Sequence, residues 1–211
     1  MMRTDNNALF FKNHLDAYLK LINLQDYIND INKFINRKAR YKRKKIKENI
    51  LKHILIETFT ESFSSILFDS VLISTWVFME VEFKGYCNAM QKAMDIDLKY
   101  SDLKGSAIER FKIYTAKVLK IDFRLNDENW EDLRAINEIR NSLIHTEGIV
   151  QNKKLVNNFI KHNNLQGLLS KEKISIDKDN LTIIIVLCRL FIDRIYYIAL
   201  EKFPGRYGLK S

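Results

Sequence analysis

Turn-forming residues are scarce in this sequence. It has one proline and six glycines among 211 residues, whereas 46% of the residues are apolar and 29% are charged. A chain with so few helix breakers and so many apolar and charged residues favours long helices. The length suits one domain with a sizeable core. We therefore predict an all-α fold.

Cysteine is also scarce. Cys87 and Cys188 lie in apolar stretches without companion ligands, so the sequence indicates neither a disulfide framework nor a zinc site. We predict two buried free thiols, no metal site and no cofactor. The sequence also lacks the GxxxxGK[ST], GxGxxG and GxSxG patterns, so nothing in it supports a P-loop, Rossmann or serine-hydrolase function.

Long uncharged runs are missing as well. The apolar segment 62–79 contains Asp69, and the segment 181–200 contains Arg189, Asp193 and Arg194. Neither offers the ~20 largely uncharged residues that a membrane span requires. The first twelve residues do not resemble a secretory signal. We expect a cytoplasmic protein with no membrane partner.

Positive charge, in contrast, is abundant. Lysine and arginine number 35 against 26 acidic residues, which gives a net charge of +9 and favours polyanionic partners. The segment 37–47, RKARYKRKKIK, has eight basic residues and no acidic one. It is either a solvated helix face or a phosphate-binding surface. The RNA-binding candidates are Arg37, Lys38, Arg40, Lys42, Arg43, Lys44, Lys45 and Lys47.

Apolar periodicity predicts the order of the helices. The first runs from about 7 to 34, with a core stripe at Leu15, Leu19, Ile22, Tyr27, Ile31 and Phe34. Further helices are expected at 62–94, 106–121 and 130–146, the last of them stopped by Gly148. One or two short helices follow within 155–169, and KISID reads as a brief extended piece. A final helix at 180–203 ends before Pro204 and Gly205.

An arginine interrupts the apolar face of the 130–146 helix. Leu133, Ile136, Ile139, Leu143 and Ile144 define that face at helical spacing, and Arg140 falls within it. Its stem must cross the apolar face while its guanidinium finds a partner or an anion. An unpaired buried charge would cost several kcal/mol, on the order quoted for buried ions.

Two further polar residues accompany this arginine. Asn141 and His145 are four residues apart and share one face of the helix. Cleavage of RNA by transesterification needs a group that moves protons and a positive charge near the developing negative phosphorane. His145 suits the first requirement and Arg140 the second. The alternative is structural: His145 caps the helix end, and Arg140 pairs with Glu80 or Glu82. Glu80 and Glu138 are candidate supporting residues.

The segment INEIRNSLIHTEG, residues 136–148, resembles the signature of the HEPN superfamily, in which arginine, a polar residue, three variable residues and histidine follow in this order. The likeness extends to the hydrophobic part of the 62–94 helix, which ends at residues 76–80, to the loop YSDLKG at residues 100–105, and to the helix pair leading into the motif. It covers about residues 60–203.

The resemblance implies an up-and-down helical bundle that dimerises and brings two motifs into one cleft. Many members are metal-independent endoribonucleases that act as toxins or in antiviral defence. Their catalytic residues correspond to Arg140, Asn141 and His145. We thus expect a single HEPN-like domain over 1–211, with an N-terminal helical extension (1–60) and a bundle core (61–211).

One departure concerns regulation. HEPN toxins silenced by a partner nucleotidyltransferase often carry a tyrosine two positions after the histidine, and Glu147 stands there. Restraint by an antitoxin or a sensor protein remains compatible with the sequence.

Two other functions also stay open: a non-catalytic HEPN-like module that binds RNA or a nucleotide, and a scaffold whose basic segment meets another polyanionic surface.

Overall fold

The computed structural model describes residues 3–45, 50–123 and 127–202, and most of them are helical. Two antiparallel strands pair Leu169 with Ile174. The elements are α1 (Arg3–Lys45), α2 (Ile50–Met94), α3 (Ala107–Ile113), α4 (Asp127–His145), α5 (Lys153–Asn163), β1 (Leu169–Ser170), β2 (Lys173–Ile174) and α6 (Lys178–Lys202). A short 3₁₀ turn, Tyr100–Asp102, precedes α3, and a π-helical turn, Tyr114–Val118, continues it. The all-α prediction is confirmed.

The first two helices are longer than predicted. Helix α1 continues through Lys45, and α2 already begins at Ile50, so most of the basic segment lies on α1. Lysine and arginine are good helix formers, and the segment 35–45 holds no glycine or proline to end the helix. The remaining helices lie close to their predicted positions. The predicted stop at Pro204 and Gly205 lies outside the described residues.

The predicted core stripe of α1 is wrong in register. The buried residues are Ala17, Leu21, Ile28, Ile35 and Ala39, whereas Leu15, Leu19, Tyr27 and Phe34 are 44–56% exposed. Helix α1 carries apolar side chains on more than one side, so two stripes satisfy the helical period equally well. The buried stripe contains the two alanines, whose small side chains allow neighbouring backbones to approach closely.

The chain divides by its internal packing into two compact units. Unit 1 comprises Met1–Leu21, Trp76–Arg134 and Val186–Ser211, and unit 2 comprises Ile22–Thr75 and Ala135–Ile185. Helices α1, α2, α4 and α6 each contribute residues to both units. The motif on α4 and the basic segment of α1 belong to unit 2.

Aromatic rings form the core of unit 1. Phe111 lies at their centre, with ring centroids 4.6 Å from Phe83, 5.7 Å from Phe123 and 5.9 Å from Tyr86. Trp130 and Phe191 approach the same ring at 6.4 Å and 6.1 Å. Aromatic pairs at such separations add stabilisation beyond the area that they bury.

A carboxylate lies beside this aromatic core. Glu82 is only 9% exposed and accepts a hydrogen bond from the Tyr196 hydroxyl at 3.4 Å. Burial raises the pKa of Glu82, and the nearby Lys20 charge opposes the rise. The folded state therefore favours the neutral form, and ionisation of Glu82 destabilises it.

We expect Glu82→Gln to stabilise the protein above neutral pH. Because the folded-state pKa is raised, this carboxyl stabilises the fold only while it is protonated, and the contribution is lost as pH rises through that pKa. The melting temperature of the variant should exceed that of the wild type at pH 8, and the difference should vanish towards pH 4, near the ordinary carboxyl pKa of about 4.3. The exposed Glu131→Gln serves as the control. A pH-independent difference would contradict the assignment.

Unit 2 has an aliphatic core. Its fully buried residues include Leu72 on α2, Ile136 and Ile139 on α4, and Val156 on α5. Asp69 of α2 is partly buried, and this burial raises its pKa while Lys173 lowers it.

Helix α2 also has the dimensions of a membrane span. Among the described residues, the stretch Ile54–Met94 is long and apolar enough by length and composition, and 33% of its most apolar window is buried. Asp69 therefore does not exclude a membrane span in this stretch, contrary to the prediction from the sequence. Core helices of soluble proteins meet the same criterion, and α2 supplies the fully buried Trp76, Met79 and Phe83 to unit 1.

Candidate active site

Helix α4 carries the motif in its last two turns. Leu133, Ile136 and Ile139 are buried as predicted, which fixes the rotation of the helix. Ile144, predicted on the same face, is instead 41% exposed. The buried side ends at Ser142, whose hydroxyl donates to the Glu138 carbonyl at 2.9 Å. The final turn of α4 therefore extends beyond the core, which is why Ile144 is exposed although it was predicted to be buried.

Arg140 and Asn141 form a hydrogen-bonded pair. The Arg140 Nη1 donates to the Asn141 Oδ1 at 2.8 Å, and both residues are half-buried. Arg140 Nε is buried and has no acceptor within the described ranges. Buried donors are nearly always satisfied, so this Nε is an exception, and the half-buried guanidinium as a whole retains further N–H donors for an anionic acceptor. Arg110 Nε is also buried without an acceptor among the described residues, but the Arg110 guanidinium lies 5.0 Å from the centroid of the Tyr100 ring and so has an aromatic partner.

His145 is the last residue of α4 and is exposed. Within the part of the chain that the structure describes, the imidazole makes no hydrogen bond. The helix-capping bond, which the structural alternative assigns to His145, is therefore not formed there. His145 lies one turn beyond Asn141. It comes five positions after Arg140, so Arg140 and His145 are roughly 140° apart around the helix. Within one chain, Arg140 and His145 therefore face different sides of α4.

The turn after His145 is held by several hydrogen bonds. The Thr146 hydroxyl donates to the Ser142 and Ile149 carbonyls at 3.0 and 2.6 Å. Gly148 has a φ of +87°, which confirms the predicted stop. A Cβ at this position would lie 3.3 Å from the Lys173 side chain. The Ile174 N–H donates to the Gly148 carbonyl at 2.9 Å, so β2 anchors the turn.

Glu138 connects α4 to the start of α5 through side-chain hydrogen bonds. Its Oε1 accepts hydrogen bonds from the backbone N–H groups of Gln151 and Asn152 at 3.0 and 2.9 Å. The Asn152 side chain in turn caps α5 by accepting from the Leu155 N–H at 3.1 Å. The structure thus gives this candidate supporting residue a role in positioning the connection that follows the motif.

Removal of this carboxylate should weaken the fold. Glu138→Ala leaves two backbone N–H groups without their acceptor and should lower the free energy of unfolding by about 1–2 kcal/mol. Urea denaturation monitored by circular dichroism measures the change. Glu131→Ala on the same helix, which loses only an exposed ion pair with Arg134, should cost less than about 0.5 kcal/mol. Equal losses of unfolding free energy in the two variants would contradict the role of Glu138 in holding the start of α5 against α4.

Glu80 has a partner in its own helix. Its Oε1 accepts a hydrogen bond from the Trp76 indole N–H at 2.9 Å. Glu82, the other carboxylate considered as a partner of Arg140, accepts from Tyr196. The described bonds of both carboxylates thus lie within unit 1.

The basic segment presents two different faces. Arg37, Arg40, Tyr41 and Lys44 line an open concavity of about 460 Å³. Lys38 and Lys42 instead lie over aromatic rings, with Nζ atoms 5.5 Å from the Phe34 centroid and 4.6 Å from the Phe59 centroid. Arg43 and Lys45 belong to α1, but their side chains are outside the described part, as is the whole of Lys47. Phe59 is not among the predicted site residues, although Leu55, Phe59 and Phe63 recur at one-turn spacing.

The thiols are buried and free, as predicted. Burial raises the pKa of Cys188 to about 12, which makes it a poor nucleophile at neutral pH. Within residues 3–45, 50–123 and 127–202, no group of three or more histidine, cysteine and acidic side chains could hold a metal ion.

No protein-family model, curated protein or solved structure matches the chain. The likeness to the HEPN superfamily therefore rests on residues 136–148 and on the surrounding layout of the sequence.

Proposed function

We propose that this protein is a metal-independent endoribonuclease of HEPN type, in which Arg140, Asn141 and His145 cleave RNA. The observation that carries the proposal is the half-buried Arg140, whose Nη1 is bound to Asn141 and whose buried Nε has no acceptor among the described residues. A guanidinium is always charged and suits the two-point binding of a phosphate. Its position within the Arg-Asn-x-x-x-His motif makes an RNA phosphate the expected acceptor.

The chemistry divides among the three side chains. The 2′-oxygen of the RNA attacks the adjacent phosphorus, a new P–O2′ bond forms, and the P–O5′ bond breaks. One proton leaves the 2′-hydroxyl, and one is delivered to the departing 5′-oxygen, which yields a 2′,3′-cyclic phosphate and a 5′-hydroxyl. His145 acts as acid or base in these transfers. Arg140 stabilises the negative phosphorane, and Asn141 orients Arg140 through the observed hydrogen bond.

A dimer completes the site in this proposal. Because Arg140 and His145 face different sides of one helix, a single chain does not direct both at one phosphate. Two motifs in a shared cleft would place the arginine of one copy opposite the histidine of the other. Two histidines would also supply the base and the acid that the reaction needs.

The substrate would reach the cleft with help from the basic segment. Arg37, Arg40 and Lys44 share one face of α1 with Tyr41, an arrangement that suits contact with the phosphate backbone of RNA. The cytoplasm is the expected location of such an enzyme, and an antitoxin or sensor protein its expected restraint.

The decisive experiment incubates the purified protein with total RNA and defined tRNAs in EDTA. Fragments should appear, and their 3′ ends should carry 2′,3′-cyclic phosphate. Light scattering should give the mass of a dimer. Intact RNA that nonetheless shifts in a salt-dependent manner would replace the enzyme by an RNA-binding module. Absence of RNA binding at low salt would favour the scaffold function.

A further inference from the structure

An apolar groove lies between α1 and α2 of unit 2, outside the proposed active site. It has a volume of about 280 Å³ and is lined by apolar residues together with Thr60, Lys38 and Lys42. We call it the arm groove, and its apolar residues are Phe34, Ile35, Ala39, Phe59 and Phe63. This volume is just below the range of about 300–1,000 Å³ for small-molecule pockets, so the groove suits a short row of side chains better than a large cofactor.

Three aromatic residues of the groove are open to solvent. Phe34, Phe59 and Phe63 are 54%, 58% and 43% exposed. Leu55 and Ile66, on the same face of α2 at one-turn spacing, are both 67% exposed. Single exposed apolar residues are ordinary, but a contiguous apolar surface with polar edges is typical of an interaction site.

The edge of the groove formed by α1 is positively charged. Lys42 Nζ lies 4.6 Å from the Phe59 centroid and Lys38 Nζ 5.5 Å from the Phe34 centroid. On α2, Glu57 and Glu61 fall on the side opposite Phe59 by helical spacing. On α1, Asp30 is paired with Lys33 at 3.0 Å. Charge complementarity therefore favours an occupant with carboxylates along the edge that faces α1 and apolar side chains at its centre.

The packing of the rings argues against RNA as the occupant. Phe59 and Phe63 stack on each other at 5.9 Å with an interplanar angle of 14°, and ammonium groups cover faces of Phe34 and Phe59. A neighbouring ring or ammonium group already lies against each of the three rings, which leaves fewer faces for the stacking by which single-stranded bases bind. A second copy of the chain is disfavoured because it would bring another basic 37–47 segment against this one.

We propose that the arm groove binds an acidic amphipathic helix of a partner protein. The helix inserts aliphatic or aromatic side chains between Phe34, Phe59 and Phe63 and sets carboxylates against Lys38 and Lys42. This is the helix-in-groove mode, with apolar anchors at intervals of three and four residues. The proposal does not depend on the ribonuclease function.

Fluorescence anisotropy with the full-length protein tests this proposal. The probe is a labelled helical peptide of about five turns, with leucine at every third or fourth position and glutamate elsewhere. Two control peptides are a scrambled version without an apolar face and a version with lysine in place of glutamate. A labelled oligouridylate reports on RNA binding, and sedimentation reports on self-association.

The wild type should bind the acidic amphipathic peptide at least about tenfold more tightly than either control peptide, as expected when a few anchors dominate an interface. Phe59→Ala/Phe63→Ala should weaken this binding at least about tenfold, whereas Leu190→Ala, an exposed apolar change on α6, should leave it unchanged. Lys38→Glu/Lys42→Glu should reverse the preference towards the lysine peptide, and Lys154→Glu on α5 should not. Circular dichroism verifies that each variant is folded.

Three results would overturn the proposal. The first is equal binding of the acidic and scrambled peptides, or no binding of either. The second is loss of oligouridylate binding in Phe59→Ala/Phe63→Ala, which would assign the groove to RNA. The third is loss of self-association in the same variant, which would assign it to a second copy. RNA cleavage by the same preparations is measured separately, so failure of this proposal and failure of the ribonuclease function are distinguishable.

Discussion

RNA cleavage by His145→Ala should fall by a factor of about 10²–10⁴, the contribution typical of a general acid or base. Arg140→Ala should cause a loss of about 10²–10³, comparable to removal of one stabilising donor from an oxyanion site. His145 is exposed at the end of α4, so its loss should leave the fold intact. Initial rates of cleavage of a labelled tRNA in EDTA measure both effects.

Matched residues elsewhere in the chain provide controls. Arg134→Ala removes an exposed arginine from the same helix, and His162→Ala removes a histidine from the last turn of α5. Both variants should cleave RNA at nearly the wild-type rate. Light scattering should show that His145→Ala and Arg140→Ala retain the mass of the wild type. Cleavage at wild-type rates by either motif variant would exclude the assigned site.

The largest effect on stability is expected for Phe111→Ala. Phe111 is fully buried and meets five aromatic rings in the core of unit 1. Its truncation removes these contacts and leaves a cavity that the surrounding rings fill only partly, so the free energy of unfolding should drop by about 3–5 kcal/mol. Urea denaturation monitored by circular dichroism measures the loss.

Ile113→Ala is the matched control on the same helix. Ile113 is 38% exposed, so its truncation should cost less than about 1 kcal/mol. A loss below that level for Phe111→Ala would contradict the central place of this ring in the core. A change in the denaturant slope, in contrast, would indicate that the variant no longer unfolds in one cooperative transition or that the compactness of one of the two states has changed.

Helix content followed from composition, but the rotation of α1 did not. The absence of helix breakers is a local property of the sequence, and the long helices express it directly. Which side of α1 is buried depends on what packs against it, and the stripes through Leu15 and through Leu21 fit the helical period equally well. The structure selects the stripe of Leu21, Ile28 and Ile35.

The motif was visible in the sequence because Arg140 interrupts an apolar pattern. Its hydrogen bond to Asn141 was not predicted, since a contact between adjacent side chains depends on rotamers rather than on spacing. The attachment of Glu138 to residues 151 and 152 depends on where the chain turns after α4. Such tertiary contacts leave no periodic signal in the sequence.

The anchored turn after His145 has an entropic consequence. Hydrogen bonds through Thr146 and Gly148 fix the backbone there, so the conformational freedom of the main chain, about 1–2 kcal/mol per residue, is already lost on folding. Under the proposed function, only the two side-chain torsions of His145 would remain to be ordered when an RNA phosphate binds. The backbone that carries the imidazole is already fixed, so binding of the proposed substrate would restrict a side chain rather than a loop.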